Sequence, residues 1–110
     1  MNANRTAPQA CRTMAEVRHG VDRLDEMLVR LIGERFRYME AAARIKPDRG
    51  QVRDEGRKAQ VLANVARLAE EHGVPCAVAA ELYERLIEAS IAYELGRFDE
   101  IRNGARTARE

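Results

Sequence analysis

Counting from Met14 in alternating steps of three and four gives Met14, Val17, Val21, Leu24, Leu28, Leu31, Arg35, Tyr38, Ala42 and Ile45. Nine of these ten residues suit a buried helical seam with a repeat of 3.5. The tenth, Arg35, carries a permanent charge. An unpartnered guanidinium taken from water costs several kcal/mol, so this row needs an anion that it does not itself contain. A carboxylate from another helix or a bound anionic ligand can supply it.

The rest of the chain reads as helix too. Thr13 offers a hydroxyl N-cap, with Glu16 placed to complete a capping box. Helix 1 is expected from Met14 to Lys46, where Pro47 stops it. Gly20 and Gly33 inside it are candidate points of close helix approach, and Tyr38 is expected in the core with its hydroxyl at the edge. Residues 47–53 form a loop. Asp54 can cap helix 2, expected from Asp54 to His72 and stopped by Gly73. Pro75 opens helix 3, whose apolar pattern fades near Ile101. Residues 1–12 read as a flexible N-terminal tail, 13–102 as one helical domain and 103–110 as a frayed C-terminal tail. The fold class is all-α, a three-helix protomer with one very long N-terminal helix.

Helix 1 would be about 48 Å long at 1.5 Å per residue. A compact globule of this chain length is only roughly 34 Å across. The excess length predicts an intertwined homodimer in which two chains cover each other's seam.

Composition narrows the function classes. The chain's 19 basic and 18 acidic residues leave a net charge of +1, which gives no electrostatic case for nucleic acid or a membrane surface. Cys11 and Cys76 lack metal-ligand spacing, and no cofactor motif occurs. The N-terminus lacks the apolar run of a signal peptide, and no stretch approaches the roughly 20 apolar residues of a membrane span. A reduced, cytoplasmic protein is expected.

Helix 3 repeats the anomaly of helix 1. Steps of four give Val78, Leu82, Leu86, Ser90, Glu94 and Phe98, so Ser90 and Glu94 interrupt an apolar row. Burial disfavours the charged form of Glu94 unless a cation lies close. Lys46 follows Arg35 by 11 residues, which places both on one face about 16 Å apart. Arg18 lies about 25 Å from Arg35 along the axis and about 100° round it. It reaches the same small ligand only from a partner chain. Asp54 and Arg57 share a face of helix 2.

Each of these residues has a plainer reading. Arg35 can be an ion-pair member, Lys46 a complement to the helix dipole, Asp54 a cap and Ser90 a small residue. Arg18 can be a solvated flank, and Glu94 can simply pair with Arg35 or Lys46. Taken together, several cations beside one acid leave positive charge for an anionic guest.

The segments VRHGVDRLDEMLVRLIGER (17–35), ARIK (43–46), VRDEGR (52–57) and LIEASIAYE (86–94) resemble the all-helical AroQ class of chorismate mutases, including its isochorismate pyruvate lyase sibling. The resemblance covers residues 14–100. It implies that Arg35, Lys46, Arg57 and Ser90 bind substrate, and that Arg18 is contributed across a dimer interface. It places Asp54 near the substrate's ring hydroxyl. Glu94 falls where many members carry a Gln that hydrogen-bonds the breaking ether oxygen. Lys58 departs from the pattern, because several bacterial members have a Glu there that helps hold the hydroxyl.

The implied reaction is the pericyclic rearrangement of chorismate, a small dicarboxylate, to prephenate. It needs a folded near-attack conformer and positive charge beside the oxygen that gains electron density. The expected catalytic set is Arg35, Lys46 and Glu94, with Arg18, Asp54, Arg57 and Ser90 binding substrate and no metal or cofactor. The alternatives are a salicylate-forming isochorismate pyruvate lyase and a non-catalytic helical dimerisation or regulatory module.

Overall fold

The computed structural model describes residues 5–109, with side chains through residue 105. Residues 1–4 of the expected N-terminal tail and Glu110 lie outside the described residues. The elements are α1 (Met14–Ile45), α2 (Glu55–Glu71) and α3 (Cys76–Arg109), with single turns of 3-10 helix at Pro8–Ala10 and Arg49–Gln51. The described chain is all-α, as its periodicity predicts, with an N-terminal helix of 32 residues. It divides into two compact units, residues 1–37 and 38–110, whose boundary falls inside α1.

In the first unit the capping box forms as expected. The Glu16 N–H donates to Thr13 Oγ1 at 3.2 Å, and the Thr13 N–H donates back to Glu16 Oε1 at 3.1 Å. Two orphan donors of the first turn are thereby satisfied. Glu16 does more than cap, because its Oε1 also accepts the Arg12 N–H at 2.9 Å and its Oε2 accepts the Thr6 hydroxyl at 3.3 Å. These bonds hold its carboxyl below the usual range, the Arg12 N–H contributing most. The segment before α1 is therefore tied to it at residues 6 and 12, where a loose tail was expected. The seam itself lies open in the single chain, with Leu28 55% and Leu31 59% exposed. A Cβ added at Gly20 or Gly33 would meet its nearest neighbour at 4.0 or 3.8 Å, so neither glycine marks a tight approach within the chain.

The second unit holds the core. Ala43, Val52 and Phe98 are buried together, with Ile91, Leu95 and Ile101 packed against them. Tyr38, expected in the core, is 67% exposed. The reason is rotational: Ala43 lies about 140° round the helix from Tyr38, and the core takes the Ala43 face. Glu40 shares that face and accepts the Tyr93 hydroxyl at 2.7 Å, with Arg97 Nε at 3.2 Å.

Asp54 caps α2, its Oδ1 accepting the Arg57 N–H at 2.9 Å. The helix ends in a Schellman turn. The Val74 N–H bonds Ala69 O at 2.8 Å and the Gly73 N–H bonds Glu70 O, with Gly73 at φ 69°. Only glycine occupies that left-handed position without strain. α3 then starts beyond Pro75 and continues past Ile101 to Arg109, because no proline interrupts it.

Candidate active site

Lys46 sits directly beyond the last residue of α1. Its N–H still bonds Ala42 O at 2.9 Å, which fixes where its side chain leaves the backbone. From there Nζ reaches Glu94 Oε2 at 2.7 Å. Glu94 is only 4% exposed and Ser90, one turn earlier on α3, only 3%. The cation that burial of Glu94 demands is thus Lys46, one of the two partners the sequence allowed. The contact is short but lacks hydrogen-bond alignment, so charge attraction holds the pair. The Ser90 hydroxyl donates to Leu86 O at 2.6 Å, the usual habit of a helical serine.

The remaining expected site residues fall as follows. Asp54 and Arg57 are together on the exposed first turn of α2, joined by the capping bond, and Arg57 Nη1 donates to Gln60 Oε1 at 2.5 Å. Arg18, exposed, and Arg35, half-buried, belong to the first unit. In the second unit the structure brings Lys46 and Glu94 together and places Ser90 on the same column as Glu94.

Lys58 does not act alone. Its Nζ contacts Glu84 at 2.7 Å and Glu88 at 2.8 Å, two carboxylates one turn apart on α3. Arg53 adds a fork onto Glu88, at 2.6 and 3.1 Å, and holds Glu55 at 2.9 Å. The hydrogen bonds from Arg53 first and Lys58 second pull the Glu88 carboxyl down to about 2. Lys58 is raised in turn, chiefly by Glu84. A lysine at this position therefore fastens α2 to α3. Sequence reading flagged Lys58 as a departure but did not find its partners. Glu84 and Glu88 at i,i+4 were the available signal.

Arg102 was also missed. Its Nη1 donates to Ala43 O at 2.6 Å and its Nη2 to Lys46 O at 2.5 Å, while its guanidinium carbon lies 3.6 Å from the centroid of the Phe98 ring. The row of fours through Ser90, Glu94 and Phe98 reaches Arg102 at its next step, so periodicity contained the hint.

The sequence profile of the family described as chorismate mutase type II matches residues 17–95. The chain belongs to the type II chorismate mutase family. It shares 31% identity over 98 residues with an isochorismate pyruvate lyase of Pseudomonas aeruginosa, covering 89% of this chain and 97% of that one. It shares 28% over 91 residues with a chorismate mutase of Methanocaldococcus jannaschii, covering 82% and 92%. The expected enzyme class, an isomerase, agrees with membership in the chorismate mutase family. The lyase is an alternative with no better support. Among the described residues no helix is long and apolar enough to cross a membrane.

Proposed function

We propose that this chain rearranges chorismate to prephenate at a site built around Lys46 and Glu94, in a cytoplasmic homodimer. The carrying observation is the 2.7 Å approach of the Lys46 ammonium to the buried Glu94 carboxyl, within a chain of the chorismate mutase family. A pericyclic reaction needs no nucleophile. It gains from a restrained conformer and from donors aimed at the ether oxygen as the carbon–oxygen bond breaks. In this reading Lys46 donates to that oxygen. Glu94 does so from its protonated form, since an ionised carboxylate repels the developing charge. Arg35 and the partner chain's copy of Arg18 hold the two carboxylates. Arg57 and Ser90 complete the cradle, and Asp54 lies by the ring hydroxyl.

The exposed seam supports the dimer. Leu28, Leu31 and Ile45 leave a long apolar row in water in the single chain, and a row of this kind marks an interaction face. A second copy of α1 matches it in length and spacing.

The test is to incubate the purified protein with chorismate and, separately, with isochorismate. Prephenate from the first supports the mutase. Salicylate with pyruvate from the second, and no prephenate from the first, supports the lyase. No product from either leaves the non-catalytic module. The lyase has one observation in its favour, the near full-length match to the Pseudomonas protein.

A further inference from the structure

α1 ends with a chemical problem at Ala43, two residues before Ile45. In an α-helix the Ala43 carbonyl would accept the N–H of the residue four positions on, and that residue is Pro47, which has none. Ala43 is fully buried, so water cannot substitute. Lys46 O is a second orphan of the same helix end. Arg102 closes both, one nitrogen of its fork on each carbonyl, at 2.6 and 2.5 Å. The Phe98 ring covers the guanidinium at 3.6 Å and fixes its plane.

The same column of α3 carries Glu94, Phe98 and Arg102 at steps of four. Its first member meets the Lys46 ammonium and its last holds the Lys46 backbone. With the N–H of Lys46 on Ala42 O and its carbonyl on Arg102, the peptide groups on both sides of the Lys46 Cα are pinned. The long side chain then starts from a fixed point on its way to Glu94. Arg102 lies beyond residues 17–95, the span matched by the family profile.

We propose that Arg102 is a positioning residue, which clamps the carbonyl end of α1 and so holds the Lys46 ammonium at Glu94. The proposal rests on the mutase reading for its kinetic consequence, but its geometric half can be read without substrate. Only two of the chain's 19 basic residues are lysines, Lys46 and Lys58. Protein labelled with ¹³C,¹⁵N-lysine therefore gives just two side-chain ammonium signals. Lys58, held by Glu84 and Glu88, is the internal reference.

The decisive variant is Arg102→Met, which keeps an apolar stem against Phe98 and removes the fork. We expect the Lys46 ammonium signal to move and to exchange faster with water, with Lys58 unchanged. We expect kcat on chorismate to fall at least tenfold with KM within threefold. In a Lys46→Met background, at enzyme concentrations that make the residual rate measurable, adding Arg102→Met should change kcat less than twofold. An unmoved Lys46 signal overturns the proposal. So does an equal fold-loss with and without Lys46, which would mean that Arg102 acts on the fold alone. If circular dichroism shows Arg102→Met unfolded, Arg102→Gln carries the test, since it adds no lysine signal and its shorter amide cannot span both carbonyls as the fork does. A folded Arg102→Gln with the wild-type Lys46 signal and kcat overturns the proposal equally. If the wild type makes no prephenate, the mutase reading fails and the resonance comparison still decides the clamp.

Discussion

Lys46 and Glu94, 48 positions apart in the chain, meet at 2.7 Å with the carboxylate almost wholly buried. The pair sets a condition on catalysis. A bare carboxylate repels the ether oxygen as it gains charge, whereas an amide of the same shape donates to it. Glu94→Gln should therefore keep kcat on chorismate within about tenfold of the wild type, and Glu94→Leu, which offers no donor, should lower it by about a hundredfold. Steady-state kcat for the three proteins checks this. An inactive Glu94→Gln beside a fully active Glu94→Leu would remove Glu94 from the mechanism.

Leu28 separates the monomer from the dimer. In the single chain it is more than half exposed, and a surface change of that kind shifts stability by about 0.5 kcal/mol or less. In a dimer seam, Leu28→Asp would bury an unpaired carboxylate at a cost of several kcal/mol. We expect sedimentation analysis to give a dimer for the wild type and a monomer for the variant, with activity lost on dissociation. A variant that sediments and turns over like the wild type would rule out this seam as the interface.

Arg18 and Arg35 lie on one helix about 25 Å apart along its axis, too far to share a small ligand within a chain. If Arg18 serves the partner's site, Arg18→Ala and Arg35→Ala homodimers are each inactive. A mixed dimer then carries one site with both arginines. Mixing the two proteins and allowing subunit exchange should recover about a quarter of the wild-type activity, since half the dimers would be mixed with one working site each. Exchange confirmed by mass spectrometry with no recovery would place Arg18 outside the site.

Glu88 makes the fold sensitive to acid. Its carboxyl is depressed in the folded state from 4.5 to about 2, first by Arg53 and then by Lys58. A lowered folded value stabilises in full above the unfolded value, and that stabilisation is lost as pH falls through the folded one. The wild-type Tm should thus drop between pH 4.5 and pH 2 more steeply than that of Glu88→Gln. Parallel melting curves across that window would show that the clasp of Lys58, Arg53 and Glu88 adds nothing to stability.

The helices were legible because their signals are local. Thr13 with Glu16, Asp54 before α2, and Gly73 after it each act within four residues, and each behaves as its chemistry demands. Glu94 stood out as an acid in an apolar row, and the structure supplies the cation it called for. Arg102 was not read, because its partners are 56 and 59 residues away and belong to the backbone, which sequence patterns do not mark. The clue was Pro47, whose missing N–H leaves Ala43 O without its helical donor. Tyr38 misled because a 3.5 repeat reports one stripe of the helix, and this unit's core uses another.

The Schellman turn at Gly73 has a consequence for how the molecule comes into being. It folds α2 back onto α3 over a short stretch of chain, so this hairpin can zip as soon as both halves have left the ribosome. The long first helix is synthesised earlier and emerges with its oily edge unshielded. In the proposed homodimer that edge stays uncovered until a second copy arrives, so crowded expression should favour aggregates unless pairing is quick.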